Sequence, residues 1–267
     1  MSQVFNKPRK RFGQHFLHDQ YVIARIIQAI NPQADDPLIE IGPGRGALTL
    51  PLLEHVKQLT IIEIDRDLVQ WWQARQHPNL VIHSHDALKV DYCALQTDSQ
   101  HKLRIVGNLP YNISTPILFH LFEHLRCIDD MHFMLQKEVV DRMCAGAGSP
   151  DYGRLSVMVQ YYCEVTQLFD VSAGAFTPPP KVESSIVRLR PHAPGKYMVD
   201  QTILQQLVAQ AFSQRRKTLR NSLKQWFSAE QIQTIGIDPG IRPEQLELAA
   251  FIKLAQHASP EIQQRAD

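Results

Sequence analysis

The chain has 267 residues, of which 44% are apolar and 21% charged, the composition of a globular protein with room for one large and one small domain. Its 28 lysines and arginines nearly balance 27 aspartates and glutamates, so the net charge of +1 identifies no partner. No apolar run approaches the roughly 18 residues of a membrane span, and the basic N-terminus lacks the apolar stretch of a signal peptide. A cytoplasmic location without a membrane partner is expected.

The first elements of the chain alternate between helix and strand. Asp19 is placed to cap a helix in which apolar residues recur at helical spacing up to Ile30, and Pro32 lies just past its end. Short apolar runs then predict strands at 38–41, 59–64, 80–83, 103–106 and 131–135. Helical segments follow four of these strands, at 47–55, 67–75, 115–126 and 137–145.

This alternation predicts an α/β fold with a Rossmann-like, mostly parallel sheet covered on both faces. Such sheets bind ligands in the crevice beyond the carboxyl ends of their strands. Residues 182–190 alternate with a two-residue period and are expected to form an antiparallel edge hairpin with 163–171.

The last third of the chain has a different pattern. Pro191, Pro194 and Gly195 indicate a linker, and no convincing strand follows residue 200. Helical runs are predicted instead at 201–213, 215–227 and 243–257. We therefore predict a large ligand-binding domain over 1–192, with a basic N-terminal arm, and a small helical domain over 193–267.

The four cysteines form no metal-binding pattern in the sequence. They are Cys93, Cys127, Cys144 and Cys163, and their wide spacing predicts reduced and mostly buried thiols without a disulfide framework. His120 and His124 have i, i+4 spacing on a predicted helix, but the neighbouring residues lack the pattern of a zinc protease. No metal is expected.

A glycine-rich turn follows the first predicted strand of the sheet. Gly42-x-Gly44-x-x-Ala47 lets the backbone approach a ligand, and Glu63 ends the next strand, where it is placed to bind ribose hydroxyls. This is an adenosine-binding layout. Because the pattern also satisfies the loose dinucleotide fingerprint, an NAD-dependent oxidoreductase is a competing hypothesis.

Acidic residues near this turn favour a cationic ligand. A carboxylate at Glu40 would repel the pyrophosphate of NAD, whereas S-adenosylmethionine carries an ammonium and a sulfonium. Asp86, after the strand at 80–83, fits an acceptor for the adenine amino group, and Ala87 leaves room for the flat ring. By itself, Asp86 is equally compatible with a simple helix cap.

The tetrapeptide Asn108-Leu109-Pro110-Tyr111 follows a predicted strand and suits chemistry on the amino group of a base. The lone pair of an exocyclic amine is delocalised into the ring and has to be localised before it attacks. Asn108 Oδ1 and a nearby backbone carbonyl can accept the two N–H hydrogens while Tyr111 stacks on the ring. Alternatively, the strand ends in a turn stiffened by Pro110, with Tyr111 packed in the core. No catalytic histidine is required, because the amine attacks neutral and loses its proton afterwards.

Two clusters of basic residues indicate contacts with phosphates. One is the N-terminal arm and the other lies in the helical run at 215–227, and they consist of Lys7, Arg9, Lys10, Arg11, Arg215, Arg216, Lys217, Arg220 and Lys224. In a helix, Arg216, Arg220 and Lys224 would share one stripe, beside an apolar stripe that includes Leu219 and Leu223. Such a stripe can bind the phosphates of RNA independently of the base sequence. Alternatively, it is a charged helix face that is only exposed to solvent.

With these motifs, the segments 13–17 (Gly-Gln-His-Phe-Leu) and 176–184 (Phe-Thr-Pro-Pro-Pro-Lys-Val-Glu-Ser) extend a resemblance over essentially the whole chain. The chain resembles the small-subunit ribosomal RNA adenine dimethyltransferases, the KsgA/RsmA family. The resemblance implies a class I methyltransferase with a helical C-terminal domain. It also implies transfer of methyl groups from S-adenosylmethionine to two adjacent adenosines near the 3′ end of small-subunit rRNA, giving N6,N6-dimethyladenosine.

The resemblance also assigns individual residues. His15 and Leu17 are implied to close one side of the donor pocket, and Phe176 to stack the flipped target adenine against Tyr111. The residues implied to be catalytic are Asn108, Leu109, Tyr111 and Phe176. Those implied to bind the methyl donor S-adenosylmethionine are His15, Leu17, Glu40, Gly42, Gly44, Glu63, Asp86, Ala87 and Asn108. Position 15 is often asparagine in the family, and the ring of His15 still offers a hydrogen-bonding nitrogen.

The expected partner is a nearly assembled small ribosomal subunit, bound by a monomeric enzyme. The related large-subunit rRNA adenine dimethylase shares the Asn-x-Pro-Tyr element, but the segments 7–14 and 215–223 favour the small-subunit family. A DNA adenine methylase is disfavoured, because no segment resembles a DNA-recognition domain. From another class, an RNA-binding assembly checkpoint could use the same fold without catalysis.

Overall fold

The apolar runs of the sequence form the strands of a central sheet in this computed structural model, which describes residues 15–98, 100–214 and 216–258. The basic arm Lys7–Arg11 and Arg215 lie outside the described residues. The strands are β1 (Phe16–Leu17), β2 (Leu38–Ile41), β3 (Leu59–Ile62), β4 (Leu80–His83), β5 (Leu103–Asn108), β6 (Ile128–Gln136), β7 (Cys163–Val171), β8 (Phe176–Thr177) and β9 (Ser184–Pro191).

Ten α-helices are assigned within the described part of the chain. They are α1 (Gln20–Ile30), α2 (Thr49–Leu53), α3 (Arg66–Gln73), α4 (Ser114–Phe122), α5 (Lys137–Cys144), α6 (Arg154–Tyr162), α7 (Gln201–Phe212), α8 (Leu219–Ser222), α9 (Ala229–Thr234) and α10 (Leu248–His257). Short 3₁₀ turns occupy Ala87–Lys89, Tyr92–Leu95, Leu125–Cys127, Ala173–Ala175 and Pro243–Gln245. No helix of the described residues is long and apolar enough to cross a membrane.

Seven strands form one sheet in the order β4-β3-β2-β5-β6-β9-β7. The five strands from β4 to β6 are parallel, and β9 pairs antiparallel with β6. This confirms the predicted mostly parallel sheet with an antiparallel edge. Strand β2 is buried at all four positions because helices cover both faces of a parallel sheet. The separate pair β1–β8 joins the start of the described chain to the segment before β9.

Helix α1 forms as its pattern predicts. The side chain of Asp19 accepts hydrogen bonds from the backbone N–H groups of Tyr21 and Val22, which satisfies two donors that the first helical turn leaves free. The buried face consists of Ile23, Ile26, Ile27 and Ile30. This face packs in the same apolar cluster as Leu38 and Leu59 of the sheet.

The chain divides into two compact units, and one boundary differs from the prediction. The first unit contains 1–140 and 166–191, and the second contains 141–165 and 192–267. The break near residue 192 agrees with the predicted linker, but 141–165 belongs with the C-terminal segment. Contacts that no local pattern reveals cause this difference: the N–H of Gly148 donates to the carbonyl of Glu244, and the ring of Tyr152 contacts that of Phe212.

The predicted helix over 215–227 is wrong, because among the described residues 216–227 only Leu219–Ser222 is helical. The N–H groups of Leu219 and Arg220 donate to the carbonyls of Ile241 and Pro239, so tertiary contacts replace helical continuation at this point. The four described cations of this segment are exposed, whereas its apolar side chains are buried. We call Arg216, Lys217, Arg220 and Lys224 the basic segment; its members do not share one helical stripe.

The prediction that all four cysteines are reduced is also wrong, because Cys93 and Cys127 are joined as a disulfide. They are 34 residues apart, but the 3₁₀ turns Tyr92–Leu95 and Leu125–Cys127 lie side by side. Spacing in the sequence could not reveal this proximity. Cys163 is buried and Cys144 is exposed, and neither is part of a disulfide.

Candidate active site

A cavity of about 920 Å³ lies at the carboxyl ends of β2, β3 and β5 in the first unit. Its wall contains eleven of the twelve predicted catalytic and donor-binding residues: His15, Leu17, Glu40, Gly42, Gly44, Glu63, Asp86, Ala87, Asn108, Leu109 and Tyr111. These residues come from segments far apart in the sequence. The parallel sheet brings them together because every one of its strands ends at the same edge.

The glycine turn lies between β2 and α2 and lines the cavity. Gly42 has φ +68° and Gly44 has φ +52°, a backbone conformation that residues with a Cβ rarely adopt. A Cβ on Gly46 would lie 2.7 Å from the Trp72 ring, whose indole N–H in turn donates to the carbonyl of Gly44. Trp72 thus holds the turn from behind, a role that the glycine pattern does not reveal.

Glu40 lies in the wall of the cavity with only 2% of its surface exposed. Burial raises the pKa of its carboxyl to about 8, although Thr49 donates a hydrogen bond of 2.6 Å to Oε2. In the free protein near neutral pH, Glu40 is therefore largely protonated, and its repulsion of a pyrophosphate is weaker than a simple carboxylate implies. A bound cation favours the charged form and would release this proton.

Glu63, at the end of β3, is 7% exposed. Its Oε1 accepts hydrogen bonds from the N–H groups of Ile64 and Asp65, both at 2.9 Å. Burial raises its pKa, and these backbone donors oppose that shift by stabilising the carboxylate. The two N–H groups fix the orientation of the carboxyl in the cavity wall, as a polar contact with a sugar requires.

Asp86 acts as a cap and also lies in the cavity wall. Its Oδ1 accepts from the N–H of Leu88 at 3.0 Å and begins the turn Ala87–Lys89. The two alternatives drawn from the sequence are therefore compatible with each other. Ala87 is buried beside Asp86, and its carbonyl accepts from the hydroxyl of Tyr92 at 3.0 Å.

Asn108 is the last residue of β5, and its amide is oriented by the backbone. Its Nδ2 donates to the carbonyl of His15 at 3.2 Å, which leaves Oδ1 as the amide atom that can accept a hydrogen bond from a ligand. Leu109 is almost fully buried, and its N–H donates to the carbonyl of Met134. The motif thus continues directly from the sheet, so its backbone is rigidly placed.

Tyr111 is held at both ends. Its hydroxyl bonds with Ser184 Oγ at 2.7 Å, and its ring stacks with that of His15 at a centroid distance of 5.9 Å. The His15 ring is itself fixed, since Nδ1 donates to the carbonyl of Pro178 at 2.8 Å. The segments around 15, 111 and 178–184 therefore build one aromatic wall.

Phe176 departs from the expectation that it stacks a target base against Tyr111. It is 2% exposed, belongs to the apolar core and does not line the cavity. The pairing of β8 with β1 sets Phe176 opposite Leu17, and this register directs the ring inward. In this arrangement a stacking role for Phe176 is not supported.

Three positioning residues were missed by sequence reasoning. Thr49 holds Glu40, Ser184 holds Tyr111, and Trp72 supports the glycine turn. Serine and threonine are common at surfaces and caps, so nothing in their sequence context distinguishes these two. Ser184 does lie in the segment that carries the family resemblance.

The parallel sheet, its antiparallel edge and the cavity at the glycine turn define the fold of a class I methyltransferase. In its overall structure the chain is similar to a dimethyladenosine transferase from Plasmodium falciparum, with a TM-score of 0.74, 26% identity and coverage of 94% of this chain and 98% of that one. It is also similar to the 23S rRNA methyltransferase ErmE, with a TM-score of 0.67, 26% identity and coverage of 91% and 100%.

Sequence comparison identifies the family. The profile described as ribosomal RNA adenine dimethylase matches residues 5–259. Proteins named ribosomal RNA small subunit methyltransferase A are 54% identical in Pseudomonas fluorescens, with 95% of this chain and 94% of the relative covered, and 54% identical in Pseudomonas aeruginosa, with 96% of each covered. The chain belongs to the ribosomal RNA adenine dimethylase family.

Proposed function

We propose that the chain transfers methyl groups from S-adenosylmethionine to N6 of two adjacent adenosines near the 3′ end of small-subunit rRNA, giving N6,N6-dimethyladenosine. The observation that carries this proposal is the oriented amide of Asn108 beside the Tyr111 ring in a cavity of about 920 Å³. Family membership and relatives named for the small subunit support the choice of substrate. The substrate subunit is assembled in the cytoplasm, so we place the activity there.

The cavity residues fit a cationic adenosine ligand. Buried Glu40 and Glu63 lie in the wall, and a ligand with an ammonium and a sulfonium compensates them better than a pyrophosphate would. In our proposal Glu63 binds the ribose and Asp86 the adenine amino group, while Gly42 and Gly44 line the methionine portion. S-adenosylmethionine supplies the electrophilic methyl group.

The reacting amine is prepared by hydrogen bonding. Asn108 Oδ1 accepts one N–H of the target and a backbone carbonyl of the motif accepts the other, which draws the nitrogen toward tetrahedral geometry. Tyr111 stacks on the base and holds it in line with the methyl group. Because the amine attacks neutral, its proton is lost only after the new N–C bond gives the nitrogen a positive charge.

The target base has to leave its stack before it can enter the cavity. This extrusion costs a few kcal/mol in a duplex and least in unpaired RNA. The Tyr111 ring, fixed by Ser184 and His15, offsets part of this cost without first losing rotamer freedom. This pre-ordering favours adenosines in a loop of folded RNA.

The exposed basic segment of the second unit is the proposed RNA contact of that unit. Its four cations lie at the surface and contact phosphates without identifying bases. The sequence predicts that the arm Lys7–Arg11 adds to this contact. We expect a monomer to bind a late small-subunit assembly.

A competing function is dimethylation of large-subunit rRNA, which the similarity to ErmE favours. One assay separates the two, with the purified chain, labelled donor and three substrates: unmodified small subunits, large-subunit RNA and duplex DNA. We expect label in small subunits alone, in N6,N6-dimethyladenosine after digestion. Label in large-subunit RNA instead would overturn the proposal, and tight subunit binding with no label would indicate an assembly factor without catalysis.

A further inference from the structure

A group of side chains of the types that bind metals lies outside the cavity, where the loop after β4 meets the end of α4. Ligand atoms of Asp91, Cys93 and His124 lie within 4.8 Å of one another, and Cys127 is bonded to Cys93. Carboxylate oxygen, thiolate sulfur and imidazole nitrogen are the donors that zinc takes in proteins. In the sequence, His120 and His124 lack the residue pattern of a zinc protease. The two cysteine sulfurs are further atoms that can bind a metal, and the fold brings them next to His124.

We propose that the reduced chain binds one Zn²⁺ through Cys93, Cys127, His124 and Asp91. A dithiol breaks the S–S bond by supplying two electrons and two protons, and it leaves as its own disulfide. The two thiols then lose their protons to solvent as they bind the ion. The disulfide of the structure is the oxidised, metal-free form of this site.

The distances at the site suit a single ion. Two ligand atoms on one tetrahedral zinc lie about 3.4 Å apart for nitrogen and oxygen and about 3.8 Å apart for two sulfurs, given zinc–ligand bonds of about 2.0 to 2.3 Å. His124 Nδ1 and Asp91 Oδ1 are 3.5 Å apart. The Cα atoms of the two cysteines are 5.5 Å apart, so rotation of their side chains can separate the sulfurs without moving the backbone.

The charges around the site are also compatible with zinc. Two thiolates and one carboxylate bring three negative charges to a divalent ion, and the guanidinium of Arg126 offsets the remaining one, since its Nε lies 3.4 Å from Cys93 Sγ.

The ion would brace one wall of the cavity through Tyr92. The Tyr92 ring contacts that of His124 at a centroid distance of 5.7 Å, and its hydroxyl donates to the carbonyl of Ala87. Zinc at Cys93 and His124 would thus tie the end of α4 to the segment that carries Asp86. This assignment does not depend on the proposed methyl transfer, because metal binding is measured without donor or RNA.

The test uses the full chain reduced with a water-soluble phosphine, which is itself converted to its oxide as it breaks the disulfide. Cobalt(II) replaces zinc as a visible probe, because thiolate–cobalt bonds give a near-ultraviolet charge-transfer band. We expect one cobalt per reduced chain with this band, its displacement by zinc, and no band in the oxidised chain. Absence of the band from the reduced, folded chain would overturn the proposal.

Variants locate the ion. Cys93→Ser with Cys127→Ser should abolish the band, and His124→Asn should weaken binding by at least about tenfold. The matched controls Cys144→Ser and His257→Asn change residues outside the cluster and should bind as the wild type does. Circular dichroism checks that each variant is folded. If the double variant Cys93→Ser with Cys127→Ser unfolds, the single variant Cys127→Ala is used in its place. Full binding by the double-serine variant would refute the assignment to the two sulfurs. A loss in His120→Asn equal to that in His124→Asn would refute the assignment of His124 as the histidine ligand.

Discussion

The cavity of the first unit and the basic segment of the second are both proposed to bind charged partners, yet their charges lie in opposite environments. In the cavity, Glu40 and Glu63 are almost completely buried, and burial raises the pKa of both carboxyls. In the basic segment, Arg216, Arg220 and Lys224 are exposed to water. The ionisation of a buried carboxyl depends on each group next to it, because the carboxyl has lost its water. Exposed cations keep their water, so each contributes little by itself and one can substitute for another.

The largest effect is expected from the cavity, at Asn108. Asn108→Ala removes the acceptor for the target amine and should lower the rate of methyl transfer by about 100-fold or more, since oriented hydrogen bonds to a transition state are worth roughly 3 to 4 kcal/mol. Single-turnover methylation of small subunits measures the effect. The control Asn221→Ala changes an exposed amide of the second unit and should retain the rate. A folded Asn108→Ala protein with wild-type turnover would contradict the mechanism.

The buried state of Glu40 should make stability depend on pH. Because its folded pKa is raised from 4.5 to about 8, its contribution to stability is fully present below about pH 4.5 and is lost as the pH rises through about 8. Between pH 6 and 8 the wild type should lose about 2 to 3 kcal/mol of unfolding free energy relative to Glu40→Gln, which cannot ionise.

Urea unfolding of both proteins at several pH values measures this difference. Glu54→Gln, at an exposed position, is the matched control and should follow the wild type. A constant difference between wild type and Glu40→Gln across this range would show that Glu40 ionises normally in the folded protein.

A somewhat smaller effect is expected for donor binding at Glu63. Glu63→Ala removes the proposed ribose contact and should weaken binding of S-adenosylmethionine by about 1 to 3 kcal/mol. Calorimetric titration measures the dissociation constant, and Glu54→Ala serves as the exposed control. Unchanged donor affinity would remove Glu63 from the binding site.

The smallest effect should come from the basic segment. Replacing Arg216, Arg220 and Lys224 with glutamine should weaken subunit binding by about tenfold or less and flatten its salt dependence by about 0.7 to 0.9 per lost phosphate contact. Donor affinity should not change. A control that removes the same charge elsewhere combines Lys89→Gln, Lys102→Gln and Lys253→Gln.

If the control and the basic-segment variant lose affinity equally, net charge alone explains the effect. If neither changes the salt slope, the basic segment is only a solvated surface. RNA binding would then have to be assigned to the arm Lys7–Arg11 or to the first unit. The comparison between buried and exposed charges is sharpest here, because the cavity variants should leave the salt slope of subunit binding unchanged.

The sequence by itself determined the sheet and the composition of the cavity. Continuous apolar runs predict buried parallel strands, and residues at the carboxyl ends of parallel strands lie at one edge of the sheet. The sequence alone therefore predicts that Glu63, Asp86 and Asn108 lie close together, and all three line the cavity. The helix capped by Asp19 was equally evident, because both its cap and its apolar spacing are local.

Only the tertiary structure decided the features that depend on contacts between distant segments. The register of β8 with β1 turned Phe176 into the core. Backbone bonds from Leu219 and Arg220 to Ile241 and Pro239 replaced those that a continuous helix over 215–227 would make there. The disulfide joined cysteines 34 residues apart, and burial raised the pKa of Glu40 to about 8. Each of these results from long-range packing, whose desolvation and geometry no local window of sequence contains.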